Sequence, residues 1–259
     1  MATVGLAGST GMVVSTIPFM DTITPYMLRT YIDQDTNSTQ GAHILTTLVS
    51  APTSTISSIH ALTRRDLPHT SSTLQPLLEK DTSKWPSLLP SPMNIFFSGL
   101  GTTRALAGSL ENQRKIDYDL NLALAKAAKA SGASTYVLIS STGASSASMF
   151  AYPKMKGELE DAVSALGFEH CVILRPGMIA GQREKTRSAA EWGLAKIADV
   201  MGGVSGGRLK DFWAQDGEVI ARAAVNAGLM CIQGEREKGI WILGQGDIMR
   251  LGKYEWKGF

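Results

Sequence analysis

Apolar residues in this chain come in short runs separated by longer, mixed stretches. Thr3-Val4-Gly5-Leu6-Ala7, Asn94-Ile95-Phe96-Phe97-Ser98, Thr135-Tyr136-Val137-Leu138-Ile139 and His170-Cys171-Val172-Ile173-Leu174 are each one strand long and apolar at nearly every interior position, as strands buried on both faces are. Thr55–Thr63 alternates and is β-branched, Leu74–Leu78 is a weaker run of the same kind, and Gly239–Leu243 is the last. Helical spacing fills the intervals. Ile44, Leu45 and Leu48 share one face of Ala42–Leu48, Asp117–Ala130 stops at Gly132, and Tyr152–Leu166 precedes the His170 run. Past Gly181 the pattern loosens into helical stretches at Ser188–Met201 and Asp216–Met230. Strands alternating with helices predict an α/β protein: a single Rossmann-like, doubly wound parallel sheet over residues 1–259 with a small C-terminal extension.

The first strand ends in a glycine turn, Gly8-Ser9-Thr10-Gly11-Met12-Val13. Strand, glycine turn and helix together form the element that receives a dinucleotide, with backbone N–H groups and the helix dipole facing the pyrophosphate. A third glycine is expected three residues after Gly11, but Val14 stands there. The glycine that opens an amphipathic helix is Gly41, and Val14–Gln40 lies between, about 27 residues with Pro18, Pro25 and no sustained period. That stretch reads as an irregular insertion.

Composition narrows the class. Net charge is +2 with basic residues scattered, which gives no case for nucleic-acid binding. Cys171 and Cys231 are too few and too far apart for a disulfide framework, and Cys171 inside its apolar run reads as a buried thiol. The four histidines show no ligand spacing, so no metal site is expected. No apolar run approaches the ~18 residues of a membrane span, and a strand starting at residue two or three leaves no room for a presequence.

Candidate chemistry sits where strands end. Tyr152 and Lys156 are one helical turn apart on one face. In a reductase, a lysine cation favours tyrosinate in a neighbouring phenol and holds ribose hydroxyls. The tyrosine exchanges a proton with the substrate oxygen. Ser141, or its neighbours Ser140 and Thr142, would bond that same oxygen. Such a spacing arises by chance in roughly one chain in three of ordinary composition. Its weight comes from following a strand that ends in Ser140-Ser141-Thr142-Gly143. Arg64 and Arg65 follow the second strand, where an acidic residue would bond the 2′-hydroxyl of NAD; arginines suit the 2′-phosphate of NADP. Gly99-Leu100-Gly101-Thr102-Thr103 reads either as a loop along the cofactor or as a tight strand-to-helix turn. Arg175-Pro176-Gly177 reads either as a backbone approach to the nicotinamide or as a rigid turn. Asp81 is a weaker candidate for the adenine amino group. Trp85, Trp213 and Trp241 read as packing residues.

Several of these segments occur together and in order: Gly8-Ser9-Thr10-Gly11-Met12-Val13, Asp81-Thr82-Ser83-Lys84-Trp85-Pro86, Gly99-Leu100-Gly101-Thr102-Thr103-Arg104, Tyr136–Ser141, Tyr152-Pro153-Lys154-Met155-Lys156-Gly157-Glu158 and Leu174-Arg175-Pro176-Gly177. The chain resembles the atypical short-chain dehydrogenase/reductases. Within them it resembles the fungal Found-in-Mitochondrial-Proteome proteins, relatives of the mammalian Tat-interacting oxidoreductase-like protein. The resemblance implies a Rossmann fold, an NADP(H) cofactor and a peripheral place on the cytosolic face of the mitochondrial outer membrane. It implies catalytic roles for Tyr152, Lys156 and Ser141. Its cofactor contacts map to Gly8, Ser9, Thr10, Gly11, Met12, Val13 and, across the insertion, Gly41. Arg64, Arg65, Gly99, Gly101, Thr102, Lys156 and Pro176 join them from the residue-level reading. The expected activity is an NADPH-dependent oxidoreductase on a carbonyl or alcohol; the alternative is an NADP(H)-binding regulatory protein without turnover. The substrate is not specified by either route, although Ala144–Phe150 and the segment after Gly181 are the expected pocket.

The insertion is the departure from the family pattern. Without Val14–Gln40 the sequence reads Gly-Ser-Thr-Gly-Met-Val-Gly-Ala-His-Ile-Leu, an uninterrupted fingerprint. Val14-Ser15 can be encoded GTAAGT, Thr36-Asn37 ACTAAC and Gln40 CAG, so the segment can carry the spelling of a translated intron.

Overall fold

The apolar runs form strands where the pattern places them. The computed structural model describes residues 2–8, 28–32, 40–179 and 214–259. In chain order these form β1 (Ala2–Gly8), β2 (Leu28–Ile32), α1 (Gln40–Val49), β3 (Ile56–Thr63), β4 (Leu74–Leu78) and β5 (Ile95–Gly99). Then come α2 (Arg104–Ala107), α3 (Leu110–Arg114), a π-helical segment Lys115–Leu120, α4 (Asn121–Ala130), β6 (Thr135–Ile139), α5 (Ala151–Ser164) and β7 (His170–Leu174). The described chain closes with β8 (Met178–Ile179), β9 (Ala214–Gln215), α6 (Gly217–Ile232), β10 (Gly239–Leu243) and α7 (Gln245–Met249). The expected helix at Ser188–Met201 and residues Ser9–Val13 lie outside the described residues.

The main sheet is parallel throughout, in the order β10-β7-β6-β5-β1-β3, with β4 paired to β3. Alternate residues of each strand serve opposite faces. Phe97, Val137, Ile139, Val172 and Leu174 meet Ile44, Leu48 and Ile220 from α1 and α6 on one side. Phe96, Tyr136, Leu138 and Ile173 meet Leu124, Leu159 and Trp85 on the other. Both faces are covered, as a doubly wound sheet requires. Gly228 lets α6 lie close on β5, since a Cβ there would stand 2.6 Å from the Ile95 side chain and 2.7 Å from Phe97. Cys171 and Cys231 are free and buried, and desolvation pushes their thiols up to about 11 and about 12. Trp85 is fully buried, with its indole N–H donating to the Glu79 carbonyl at 2.9 Å.

The chain leaves β1 for β3 on one side and returns with β5 on the other. The topological switch point therefore lies between the carboxyl ends of β1 and β5, where open α/β sheets bind ligands. Gly8 and Gly99 stand opposite each other there.

The insertion is not wholly irregular. It contains β2, and Gln40 already belongs to α1. β2 and β1 take the same register on β3, with Leu28 and Val4 both opposite Ile59. β4 also pairs with β3, and the Ile59 N–H donates to the Thr73 carbonyl at 2.8 Å. Of β1 and β2, β1 alone also pairs with β5.

Candidate active site

Gly8, Gly99, Arg64, Arg65, Ser141 and Pro176 lie at or just past the carboxyl ends of strands, and Gly41, Tyr152 and Lys156 lie on helices. β1 ends at Gly8 and β5 at Gly99. β3 ends at Thr63, and Arg64-Arg65 follow immediately. The Thr63 hydroxyl fixes this exit by accepting the Arg65 N–H at 3.0 Å and donating to the Arg65 carbonyl. Gly41 is buried in the first turn of α1. Asp81, the adenine candidate, caps the 3-10 turn Thr82–Leu88: its carboxylate accepts the Ser83 N–H at 3.0 Å and the Ser83 hydroxyl at 2.6 Å. These bonds hold the carboxyl below its ordinary range.

The helix α5 presents the catalytic candidates with opposite exposure. Tyr152, in the first turn, is 41% exposed, whereas Lys156 one turn on is 3% exposed. The Lys156 ammonium donates to the carbonyl of Ile139, the last residue of β6, at 3.3 Å. That bond ties α5 to the strand whose exit carries Ser140, Ser141 and Thr142. The three hydroxyls are not equivalent. Ser140 is 7% exposed, and its hydroxyl has no hydrogen-bond partner among the described residues. Thr142 is engaged on both sides, donating to the Arg175 carbonyl at 3.0 Å and accepting from Gln245 at 3.2 Å. Among the described residues the Ser141 hydroxyl bonds only locally, to the Thr142 carbonyl at 3.3 Å.

Polar contacts fix α5 and the strand exits against one another. Glu160 takes Arg175 in a bidentate pair with a shortest separation of 2.5 Å, and Glu158 takes Arg114 at 2.6 Å. The Thr142 N–H donates to the Pro176 carbonyl at 2.8 Å, so Arg175-Pro176-Gly177 is at least the rigid turn of its structural reading. Gly157 lets the loop before α5 lie on the helix: a Cβ there would fall 2.2 Å from the backbone of Ser145 and Ser146. Ala144–Phe150 thus borders Tyr152, with Met149 and Phe150 exposed beside it.

The loop Gly99–Thr103 is held from the helical side. The Asp117 carboxylate accepts the Thr102 N–H at 2.6 Å, Gln113 donates to the Thr102 carbonyl at 3.0 Å, and Asn121 donates to the Leu100 carbonyl at 3.3 Å. Asp117 is 1% exposed. Burial pushes its carboxyl up from 3.8 to about 6, against the lowering field of the Lys156 cation and its own hydrogen bonds. By linkage, a carboxyl that binds its proton more tightly when folded costs the native state stability once ionised. That cost is recovered as pH falls through 6 toward 4. Sequence reading missed Asp117; its position in a helix facing a glycine loop is a tertiary fact with no local signal.

The residues present fit a dinucleotide. Among the described residues, Lys156 is a buried cation whose ammonium donates to the Ile139 carbonyl, and Ser140 is a buried hydroxyl with no partner. Gly101 is required neither by a left-handed backbone nor by crowding, since an added Cβ would meet only Asp117 at an ordinary 3.9 Å. A glycine with no internal reason, at the switch point, leaves room for a ligand's close approach. Among the described residues no cluster of His, Cys, Asp or Glu could hold a metal ion, and no helix is long and apolar enough to cross a membrane.

The fold is that of the short-chain dehydrogenase/reductases. A short-chain dehydrogenase/reductase from Mycobacterium ulcerans superposes with a TM-score of 0.55 at 14% identity, over 83% of this chain and 88% of that one. MoeE5 in complex with UDP-glucose and NAD superposes at 0.53 and 16% identity, over 79% and 72%. A family model described as HIM1 matches residues 90–196. The protein fmp52, mitochondrial, of Aspergillus clavatus is 45% identical over 97% of this chain and 99% of its own length. The fmp52 of Emericella nidulans is 51% identical over 82% and 94%. The chain belongs to the Fmp52 family.

Proposed function

We propose that the chain is an NADPH-dependent oxidoreductase acting on a carbonyl or the corresponding alcohol. The observation that carries this reading is α5, which sets an exposed Tyr152 one turn above a buried Lys156 bonded to the end of β6. Glycines 8, 41, 99 and 101 and the Thr102 backbone form the cradle for the cofactor, continued by Ser9–Val13 in sequence. When bound, the cofactor supplies or accepts the hydride. Tyr152 gives its phenolic proton to the substrate oxygen during reduction and takes it back during oxidation. Ser141 donates a hydrogen bond to that oxygen, and Lys156 stabilises the tyrosinate left behind while holding the ribose. Pro176, at the exit of β7, would border the nicotinamide through its backbone.

Arg64 and Arg65 follow the strand next to β1, which supports NADP over NAD. Charge-assisted hydrogen bonds contribute about 1.5–3 kcal/mol each, so Arg64→Ala with Arg65→Ala is expected to weaken NADP+ binding at least ~10-fold and NAD+ binding less than ~2-fold. Calorimetric titration of both nucleotides reads this. Equal losses for the two would overturn the assignment of the 2′-phosphate to these arginines. Binding of NADPH with no oxidation against aldehydes, ketones and quinones would favour the regulatory alternative.

The mitochondrial names of the relatives support a mitochondrial protein, and we place it peripherally on the cytosolic face of the outer membrane. Intact mitochondria should then lose it to added protease, and alkaline carbonate should release it. Protection from protease in intact organelles would place it inside.

A further inference from the structure

We propose that Asp117 is a positioning residue that couples the two halves of the site, holding the glycine loop after β5 and serving as counter-charge to Lys156 on α5. The inference rests on the reading of Tyr152 and Lys156 as the catalytic pair. Asp117 lies in the π-helical segment between α3 and α4, a local widening of the helix that often marks functional positions. Its carboxylate grips the Thr102 N–H at 2.6 Å, while Gln113 bridges the Thr102 carbonyl and the second carboxylate oxygen at 3.0 and 3.4 Å. One turn on, Asn121 donates to the Leu100 and Asp117 carbonyls at 3.3 and 3.2 Å. The loop is therefore held by its backbone in both directions, and its one charged holder is Asp117.

An asparagine would bury no charge but would offer the Thr102 N–H only a neutral, weaker acceptor. Burying a carboxylate is costly and is retained where the charge itself acts. The segment that carries Asp117 packs against α5, and the cation on that helix whose field favours the ionised carboxyl is Lys156; among the described residues, its hydrogen-bond partners from the loop and from α3, the Thr102 amide and Gln113, do not titrate. One anion thus sets the cofactor loop and the catalytic lysine together. Burial holds this carboxyl at about 6. Below that pH, protonation weakens the Thr102 contact and removes the counter-charge in one step.

The test uses the full chain and Asp117→Asn. NADP+ affinity is measured by calorimetry, and Thr102 amide protection by hydrogen exchange without cofactor, both at about pH 8 and about pH 5. In the wild type, affinity and protection should fall together on acidification, about 5- to 10-fold in affinity. Asp117→Asn should be independent of pH and resemble the acid form, while losing no thermal stability near neutrality because it no longer buries a charge. A variant that keeps the wild-type affinity and pH dependence overturns the proposal. If the variant does not fold, the wild-type series decides alone, and flat affinity and protection overturn it. A wild type that binds neither NADP+ nor NAD+ refutes the oxidoreductase reading, whereas Thr102 protection that still follows pH supports the hold of Asp117 on the loop.

Discussion

Tyr152→Phe is expected to lower turnover by roughly 10²–10⁴-fold, the range that a positioned general acid supplies. NADPH binding should be unchanged. The ring stays, and only the phenolic oxygen leaves. Tyr152 is 41% exposed in the first turn of α5, so losing its oxygen opens no cavity and orphans no buried partner. Stability should therefore change by less than ~0.5 kcal/mol, as for other surface substitutions. That separation is the diagnostic value of the variant: chemistry lost with fold and cofactor affinity kept. Lys156 cannot serve this purpose. It is buried and bonded to Ile139, so its removal disturbs packing, cofactor and proton transfer at once. Single-turnover oxidation of bound NADPH, compared with fluorescence titration, reads both quantities. Undiminished turnover would remove Tyr152 from the mechanism.

The parts of the molecule that were legible are those where local pattern and tertiary role agree. β6, β7 and β10 have the expected bounds because their apolar runs are cut sharply by serine, proline or glycine. β4 was readable despite Pro76 because it lies beside one strand only, and a proline N is tolerated at an edge. The helical extension Leu110–Leu120 was missed. Its Glu111-Asn112-Gln113-Arg114-Lys115 carries no apolar period, and it is fixed instead by polar contacts across the chain, Gln113 to Thr102 and Arg114 to Glu158. Asp117 was expected only as the start of a helix. Its burial arises where the β5 loop and α5 converge, and no window of sequence contains both. The candidate site follows the same rule. That Tyr152 and Lys156 share one helix is legible because one turn relates them, whereas the partners that fix Lys156 and the glycine loop are distant in sequence.

Removing Val14–Gln40 is expected to stabilise the protein and tighten NADP+ binding. Two costs disappear together. The first is entropic: shortening a connection of about 30 residues to about four lowers the closure cost by about 2 kcal/mol. The second is a buried amide. Both polar atoms of the Gln40 side chain are buried and have no hydrogen-bond partner among the described residues, a defect that costs about 1–3 kcal/mol. β1, paired with β3 and β5, delivers Gly8 opposite Gly99. Gly41 then falls three residues after Gly11, so the helix that begins at the fingerprint points its N-terminal N–H groups at the pyrophosphate. A gain of several kcal/mol in a chain of this size corresponds to a Tm rise of roughly 10 °C. NADP+ should add a further shift that grows with its concentration, because ligand bound only to the native state stabilises it by mass action. The opposite result is equally specific. A shortened chain that unfolds at lower temperature and loses NADP+ would show that the insertion, with β2 in it, is part of the working fold.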